Sequence, residues 1–585
     1  MGVRRRVSHT LETMHTENQI QNQIESPHIA KGWLYTFAGF MLFYSALLLF
    51  SLGYHLPFIG PDEPRYAEVA REMFVSGDYV SPRLCGLLWF EKPVLFYWLA
   101  AGAYHLFGVN EFAARLPSAL AAMLAVGFFC YACWRAHLLR LGLLSSVILA
   151  TSGIWMGFSH GATTDMLLTS AICIALLAAF LTSLTDGKTR LGFLMLCAVA
   201  TGVAMLAKGL IGVLLVALIL VIHGLLTRRF VFRRWTELVI AAFVFLAVIS
   251  LWYLPVTLRH GETFINEFFV NHHFKRYLTN KYQHAQPAYF YLFIVFAGAL
   301  PWGFFLLSAV RHLRSLRPRA SDRDSLLTLA WIWLVVPVAF FSFSTSKLPG
   351  YILPAFPGLA IILGAEAERF WNGDRSRLLR GMALLNALSL VLLIVGAEAY
   401  LHKKGFSMQG WEFAAYGVPL AFGIVVCGAI LLGKVRVAVL GPAVAMLTVS
   451  AVATFCLFPQ AGTLLSAKSF SIQVASSLKP QEDIVFYRKE KEYAPVFYSG
   501  GRVVFYHQGR AIQNMSSGDD LDIKNCDELA AALRNELWEG ESSVVLVTSP
   551  KWQDELKDDP RFGSATIAQE DKSVAVRVWL KPHDG

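Results

Sequence analysis

Residues 191–226 read LGFLMLCAVATGVAMLAKGLIGVLLVALILVIHGLL, and this stretch decides the fold class. It contains two apolar runs, 191–207 and 209–226, with one charged residue, Lys208, between them. Each run is about 17 or 18 residues long, which is enough for a helix to cross roughly 30 Å of hydrocarbon. The stretch therefore predicts two membrane-spanning helices that meet at Lys208.

Similar apolar runs recur along most of the chain. The protein is 55% hydrophobic and only 16% charged, with a mean hydropathy of +0.49, which is the composition of a polytopic α-helical membrane protein. The short apolar segment 94–107 is predicted to lie at the interface or to be re-entrant. Hydropathy predicts about thirteen spans, near residues 33–56, 115–134, 141–158, 166–184, 191–207, 209–226, 237–257, 288–310, 325–344, 351–366, 380–399, 413–432 and 437–457.

Basic residues predict the orientation, because loops rich in Lys and Arg face the cytoplasm. With thirteen spans, such residues fall in the amino-terminal tail (Arg4, Arg5 and Arg6) and in loops on the same side, for example Arg228, Arg229, Arg233 and Arg234, and Arg311 to Arg323. The polar segments that could carry chemistry then share the opposite face: GPDEPRYAE, FEKP, HGATTDM, AKG, RHGETFINEFFVNHHFKRYLTNKYQHAQP and STSKLPGY. Counting 94–107 as a span would divide these segments between both faces, which a single active site could not use.

Three regions follow from composition. Residues 1–32 form a polar cytoplasmic tail without the apolar core of a secretory signal, and residues 33–458 form the membrane domain. Residues 459–585 have the composition of a soluble α/β domain, with strands predicted at 484–487, 503–506, 544–548 and 574–580 and helices at 526–538 and 550–556. This domain lacks a phosphate-binding loop or nucleophile elbow, which favours a capping or docking role. The net charge of +10 is assigned to cytoplasmic loops, so no nucleic-acid partner is predicted.

The first outward loop contains the adjacent carboxylates Asp62 and Glu63 between Pro61 and Pro64, followed at helical spacing by Tyr66. A helix cap would explain Asp62 alone. Further ionisable residues lie at the hydrocarbon edge, where they are costly unless paired or functional. They are Glu91 and Lys92, His160 and Asp165, and Lys208, for which snorkelling to the surface is the alternative.

The loop 259–286 and the turn STSKLPGY complete the outward face. The long loop carries cations and rings that could close over a lipid head group, or it could be a solvated amphipathic helix. Glu91 and His272 could share a divalent cation, although their spacing matches no standard site. Four cations, Lys92, Lys208, Arg276 and Lys347, face an anionic group in this interpretation, with Asp62 and Asp165 near a cationic or protic one. An anionic lipid-linked substrate fits this arrangement better than a transported ion, because carriers place their charges at the midplane.

The strings GPDEPRYAEVAREM, FEKPVLFYWL, EFAARLPSALAA, HGATTDM and SKLPGYILP resemble the bacterial aminoarabinose transferases that modify lipid A. These belong to the clan of protein O-mannosyltransferase-like (GT-C-type) membrane glycosyltransferases. The resemblance covers about residues 33–460. It implies inverting transfer of 4-amino-4-deoxy-L-arabinose from undecaprenyl phosphate to lipid A, or a lipopolysaccharide precursor, at the periplasmic face of the inner membrane, with resistance to polymyxin as its consequence.

The resemblance also implies roles for individual residues. Asp62 matches the family's essential carboxylate, Glu63 its companion and Asp165 the second acidic position. Cations that hold the carrier phosphate correspond to Lys92 and Arg276, assisted by Tyr351, with Lys208, Lys347 and Tyr66 as further substrate-binding positions. A metal pair seen in the family, with zinc as the expected ion, corresponds to Glu91 and His272, whereas catalysis in the wider clan requires no metal.

Three functions stay open at this point. The first is transfer of an amino-pentose to lipid A. The second is the same chemistry with another sugar, or with a protein or glycan acceptor, in which Asp62 must act as a general base. The third is transport or flipping of a lipid-linked sugar, which the outward placement of the polar segments disfavours.

Overall fold

A computed structural model describes residues 27–581 of the 585-residue chain, except for residues 54–55, 270–285, 375, 404–411, 458–461, 463–465, 480–481, 483, 487–492, 502–505, 508–509, 512–524, 535–542 and 571–572. The chain divides into two compact units, Met1–Leu49 and Phe50–Gly585. Everything that concerns the candidate site lies in the second unit.

The described residues of the membrane part form helices and one short hairpin. Up to residue 227 its elements are α1 (Pro27–Ser51), α2 (Asp62–Ser76), β1 (Arg83–Leu84), β2 (Leu87–Leu88), α3 (Leu95–Phe107), α4 (Glu111–Arg135), α5 (Leu139–Ala150), α6 (Gly153–Ser159), α7 (Thr164–Leu184), α8 (Gly187–Lys208) and α9 (Leu210–Thr227). It continues with α10 (Trp235–Ile265), α11 (Phe290–Gly298), α12 (Phe305–His312), a 3-10 turn (Leu313–Ser315), α13 (Asp322–Ser342), a 3-10 helix (Pro349–Ala355), α14 (Phe356–Trp371), α15 (Arg377–Lys403), α16 (Glu412–Leu431), α17 (Val435–Val452) and a π-helical turn (Ala453–Leu457).

Helix α7 is the centre of the helical packing. It is apolar on every side and almost wholly buried, as expected for a helix surrounded by other helices. Its neighbours are α4, α8, α9 and the 3-10 helix. Asp165 lies in the first turn of α7. The packing therefore fixes its carboxylate at this helix end, near the 3-10 helix Pro349–Ala355.

Eight helices of the described chain are long and apolar enough to cross a membrane, and the bent pair α5 and α6 makes a ninth if it is counted as one span. Each of the thirteen predicted segments overlaps a helix or a pair of helices, but thirteen crossings stay a prediction. The segment predicted to be interfacial or re-entrant forms α3, which packs against α2 and is about 20 Å long, too short to cross the hydrocarbon.

The carboxyl-terminal part of the second compact unit, from Lys468 onward, has an α/β fold, and we call it the carboxyl-terminal unit. Its elements are α18 (Lys468–Ser477), β3 (Ile484–Phe486), α19 (Tyr493–Tyr498), β4 (Tyr506–His507), β5 (Arg510–Ala511), α20 (Cys526–Arg534), β6 (Val544–Thr548), α21 (Pro550–Asp558), β7 (Phe562–Glu570) and β8 (Ser573–Leu580). The main sheet has the order β3-β6-β8-β7, with β3 parallel to β6 and the other pairs antiparallel. Apolar side chains of β6 and β8 pack with Leu529 and Leu556 in its core.

Most of the elements predicted for this unit are confirmed. β3, β6, β8, α20 and α21 begin within one residue of their predicted positions. The predicted strand at 503–506 falls mainly outside the described residues. Strand β7 was not predicted: it is an edge strand of small and polar residues, and only part of it is buried.

Candidate functional site

Helix α2 carries the first group of predicted site residues. It begins directly after Pro61 with Asp62 and Glu63 in its first turn, where negative charge is favoured by the helix dipole. It ends at Gly77, whose φ of +69° is the left-handed conformation that closes many helices. The helical spacing predicted from the sequence after Asp62 is thereby confirmed.

Glu63 is held by four donors. Its Oε1 atom accepts hydrogen bonds from Arg115 Nε at 2.9 Å and from the Ala162 amide at 2.8 Å. Its Oε2 atom accepts from Arg115 Nη2 and from the Ile59 amide, both at 2.9 Å. Since both oxygens are occupied, the contacts favour a positioning role for Glu63, which ties α2 to the HGATTDM segment.

Arg115 was not singled out from the sequence. Its guanidinium is fully buried and also donates to the carbonyl oxygens of Leu52, Leu56 and Pro57 at 2.6–2.9 Å. The bidentate pair with Glu63 therefore anchors the backbone that enters the first loop. An arginine at the start of a predicted apolar span was the signal that could have found it.

Asp62 is the exposed member of a chain of charges. Its carboxylate pairs with Arg65 three residues later, and its side chain is 53% exposed. Arg65 Nη1 in turn lies 3.7 Å from Glu91 Oε2, and Glu91 Oε1 accepts a hydrogen bond from Lys92 Nζ at 3.0 Å. The helix-cap alternative does not describe Asp62, because the N-cap residue is Pro61 and no side chain caps this helix end.

A hairpin positions the second half of this charge chain. Strands β1 and β2 are joined by Cys85 and Gly86, both with positive φ, as in a two-residue hairpin turn. The carboxylate of Glu72 accepts hydrogen bonds from the amides of both turn residues. The pKa of Glu72 is raised to about 7, mainly because the carboxyl group is buried. Because Glu91 and Lys92 follow the hairpin directly, α2 fixes their position through Glu72.

Tyr66 lies beneath the charge chain. Its ring is buried, with ring centroids 6.1 Å from Phe96 and 6.4 Å from Tyr97, and the Arg65 guanidinium lies 5.2 Å from its centroid. Burial raises the pKa of Tyr66 well above its usual value, so the phenol is neutral. It therefore contributes its ring face and a neutral hydroxyl.

Asp165, Lys208 and Tyr351 form a second group. Lys208 is the last residue of α8 and its ammonium pairs with the Asp165 carboxylate, rather than extending to the surface. The same ammonium lies 5.0 Å from the centroid of the Tyr351 ring, within the cation–π range. A Cβ atom added to Gly350 would lie only 3.1 Å from Asp165 Oδ1, so the backbone passes close to this carboxylate.

Lys347 and His160 are both engaged in hydrogen bonds within the protein. Lys347 Nζ donates to the carbonyl oxygens of Ser344 at 2.6 Å and Gln286 at 3.0 Å, which favours a role in holding the loop. The His160 ring bonds Ser51 Oγ and the Met156 carbonyl, both at 2.6 Å. Burial lowers the pKa of His160, so its ring is expected to be neutral.

The structure describes Glu91 of the predicted metal pair, but neither His272 nor the predicted phosphate-binding cation Arg276. His272 and Arg276 lie outside the described residues, as do the other cations of loop 270–285. Within the described chain, no group of three or more His, Cys, Asp or Glu side chains could hold a metal ion. Glu91, the other half of the predicted pair, is 6% exposed and engaged with Lys92.

Comparisons with known proteins converge on one activity class. A family model described as dolichyl-phosphate-mannose-protein mannosyltransferase matches residues 91–253, which include Lys92, Asp165 and Lys208. The chain is 35% identical over 393 residues to an undecaprenyl phosphate-α-4-amino-4-deoxy-L-arabinose arabinosyl transferase of Pseudomonas aeruginosa, covering 64% of this chain and 68% of that protein. A similarly named protein of Pseudomonas fluorescens is 31% identical over 403 residues, covering 63% and 67% of the two chains.

Solved structures share the fold. The crystal structure of ArnT from Cupriavidus metallidurans bound to undecaprenyl phosphate matches with a TM-score of 0.74 and 27% identity, covering 94% of this chain and 98% of that one. The Archaeoglobus fulgidus oligosaccharyltransferase in its apo form matches with a TM-score of 0.51 and 11% identity, covering 81% and 65%. At that identity the second likeness concerns the fold alone.

Proposed function

Because the chain belongs to the family of undecaprenyl phosphate-α-4-amino-4-deoxy-L-arabinose arabinosyl transferases, we propose that it transfers 4-amino-4-deoxy-L-arabinose from undecaprenyl phosphate to a phosphate of lipid A. It is a glycosyltransferase with a lipid-linked donor and a multi-pass protein of the bacterial inner membrane. The observation that carries the proposal is the run of paired charges Asp62, Arg65, Glu91 and Lys92, of which Glu91 and Lys92 begin the region that the family model matches.

The chemistry is a displacement at the anomeric carbon. The bond from that carbon to the undecaprenyl phosphate oxygen breaks while a lipid A phosphate oxygen forms the new bond from the opposite face. Negative charge grows on the departing phosphate, and preorganised cations stabilise it. We assign this role to Lys92, with Arg276 as the expected second cation. The Lys92 ammonium is paired with the Glu91 carboxylate. In this assignment the phosphate of the donor replaces that carboxylate as the partner of the ammonium.

Asp62 is assigned to the sugar. A phosphate acceptor is already ionised at neutral pH and needs no general base. The half-exposed carboxylate of Asp62, at the exposed end of the charge chain, is therefore suited to orient the ammonium of the aminoarabinose. The second group, Asp165, Lys208 and Tyr351, offers a further cation and an aromatic face to the lipid-linked donor. This assignment requires no metal.

The proposed arrangement has the amino terminus in the cytoplasm and the site in the periplasm together with residues 459–585. The asymmetry of Arg and Lys supports it. A second support is that Tyr498 of the carboxyl-terminal unit bonds Glu111 at the start of α4, on the side of the loops that carry Asp62 and Lys92. The division into residues 1–32, 33–458 and 459–585 belongs to the same proposal.

Mass spectrometry of lipid A tests the proposal in cells. Cells that carry the wild-type protein should contain lipid A with the mass increment of an amino-pentose, and cells that lack the protein, or carry Asp62→Asn, should not. Replacing phosphate charge by an ammonium should also reduce killing by polymyxin. Unmodified lipid A alongside a newly glycosylated protein or surface glycan would refute the proposed acceptor.

A further inference from the structure

Three aromatic rings surround the Arg65 guanidinium, and we call them the Arg65 cage. Its carbon Cζ lies 5.2 Å from the ring centroid of Tyr66, 5.9 Å from that of Trp89 and 5.7 Å from that of Tyr493. All three distances are within the cation–π range of about 6 Å. Tyr66 and Trp89 belong to the first loop of the membrane part, whereas Tyr493 is the first residue of α19 in the carboxyl-terminal unit.

Helix α19 is fixed against the membrane part by contacts that do not involve the cage. The Tyr498 hydroxyl donates to Glu111 Oε1 at 2.8 Å, and Lys468 Nζ lies 2.5 Å from the same oxygen. The ring of Phe497 packs edge-to-face on Phe58 with centroids 4.9 Å apart. The two polar contacts with Glu111 hold α19 in place independently of Phe497, so that Tyr493 reaches Arg65 with little freedom of orientation.

Arg65 is the link between the two carboxylates of the charge chain. One end of its guanidinium pairs with Asp62, and Nη1 lies 3.7 Å from Glu91 Oε2. A long, flexible side chain can adopt many other rotamers, so holding it between two acids requires walls. The rings supply these walls and shield the guanidinium from water, which strengthens its ion pair with the buried Glu91 by lowering the local dielectric constant.

Tyr493 is suited to be one of those walls. Its side chain is buried, and burial raises the pKa of its hydroxyl to about 12, so the ring is neutral at physiological pH. A neutral ring face attracts the guanidinium without competing with Asp62 or Glu91 for a full charge. Since Tyr66 and Trp89 come from the loop itself, Tyr493 is the wall that depends on a second part of the protein.

We propose that Tyr493 is a positioning residue for glycosyl transfer: the carboxyl-terminal unit completes the Arg65 cage and so holds Arg65 between Asp62 and Glu91. The inference rests on the proposed function, because it assigns the charge chain to the lipid-linked donor. It makes the carboxyl-terminal unit a part of the active site rather than a cap that is only attached to it.

Three variants of the full-length protein test this inference. Tyr493→Leu removes the ring from the cage, Tyr493→Phe keeps the ring, and Phe497→Leu removes a docking ring that does not contact Arg65. Undecaprenyl phosphate binding and the kcat and KM for the lipid-linked donor are measured for each, together with the thermal unfolding temperature. Removing a cation–π contact should weaken undecaprenyl phosphate binding and lower kcat/KM by roughly 3- to 30-fold in Tyr493→Leu.

The comparison among the variants decides the outcome. Tyr493→Phe should retain at least about half of the wild-type affinity and rate, and Phe497→Leu should keep both even if its unfolding temperature falls as far as that of Tyr493→Leu. Equal losses in the two Leu variants, or no loss in Tyr493→Leu, would overturn the inference. A wild-type protein that binds undecaprenyl phosphate but modifies no lipid A would refute the proposed function, while the binding series would still decide the role of Tyr493.

Discussion

At the scale of single residues, the site is built from charges that already have counter-charges. Glu63 pairs with Arg115, Asp62 with Arg65, and Asp165 with Lys208. Pairing lowers the cost of placing ionised groups at the edge of the hydrocarbon. It also means that a phosphate or an ammonium of the substrate must replace contacts of these groups. Asp62, with its 53% exposed side chain, is the most open of these carboxylates.

The pair of Glu63 and Arg115 should be structural. Arg115→Met leaves a buried carboxylate without its main partner, which costs on the order of 3–5 kcal/mol of folding free energy. We therefore expect a large fall in the thermal unfolding temperature of the detergent-solubilised protein. Arg229→Met is the matched control, because its pair with the half-exposed Asp322 is worth about 0–1 kcal/mol. Similar shifts for the two variants would contradict the assigned role.

Glu72 should make the stability of the first loop depend on pH. Burial raises the pKa of Glu72 in the folded protein from 4.5 to about 7, so the folded state binds this proton more tightly than the unfolded state. The resulting stabilisation is complete below pH 4.5 and is lost as the pH rises through 7. The unfolding temperature of the wild type, measured relative to Glu72→Gln, should therefore fall between pH 5 and pH 8. A difference that is constant or rises over this range would contradict the prediction.

At the scale of elements, α2 organises the site. Its first turn presents Asp62 and Glu63, and its last turns hold the hairpin through Glu72. Its middle carries the ion pair of Glu68 and Arg71, over which Gly501 of the carboxyl-terminal unit passes. One amphipathic helix thereby connects the membrane helices, the charge chain and the carboxyl-terminal unit.

The close approach at Gly501 predicts an effect of one methyl group. A Cβ atom there would lie 1.9 Å from Arg71 Nη2 and 3.0 Å from Glu68 Oε1, so Gly501→Ala should weaken docking of the carboxyl-terminal unit. Gly500→Ala is the control, since it also has a positive φ but nothing lies within 4 Å of its added Cβ. Limited proteolysis should cut Gly501→Ala faster than Gly500→Ala. Equal cleavage rates for the two variants would contradict the prediction, because the close contact at Gly501 would then have no effect beyond the backbone strain that both variants share.

Elements with continuous apolar runs could be predicted from the sequence, whereas contacts between distant segments could not. The apolar runs of α7 and β6 follow directly from burial, whereas β7 mixes small and polar residues at a sheet edge. In the site, charge at the membrane edge indicated Asp62, Glu91, Lys92, Asp165 and Lys208, but it indicated neither Arg65 and Arg115 nor which charges pair. The cage around Arg65 combines residues more than 400 positions apart, which no local pattern reveals.

At the scale of the whole molecule, the site and the carboxyl-terminal unit must share one side of the membrane if Tyr493 is to reach Arg65. Reporter fusions at Arg319 and at the carboxyl terminus should report opposite sides, with Arg319 in the cytoplasm, because the inside loops carry most of the arginines. A fusion after Lys434 should agree with Arg319. If the fusions at Arg319 and at the carboxyl terminus reported the same side, the thirteen-span arrangement would be wrong.

The most direct test of the central claim is transfer by the purified full-length protein in detergent, where there is no membrane to cross. The substrates are undecaprenyl phosphate-linked 4-amino-4-deoxy-L-arabinose and lipid A, and the product is measured by mass spectrometry. We expect the wild type to form aminoarabinose-modified lipid A and free undecaprenyl phosphate, and Asp62→Asn, with an unchanged unfolding temperature, to form neither. No modified lipid A from a folded wild-type protein, or wild-type rates from Asp62→Asn, would contradict the central claim.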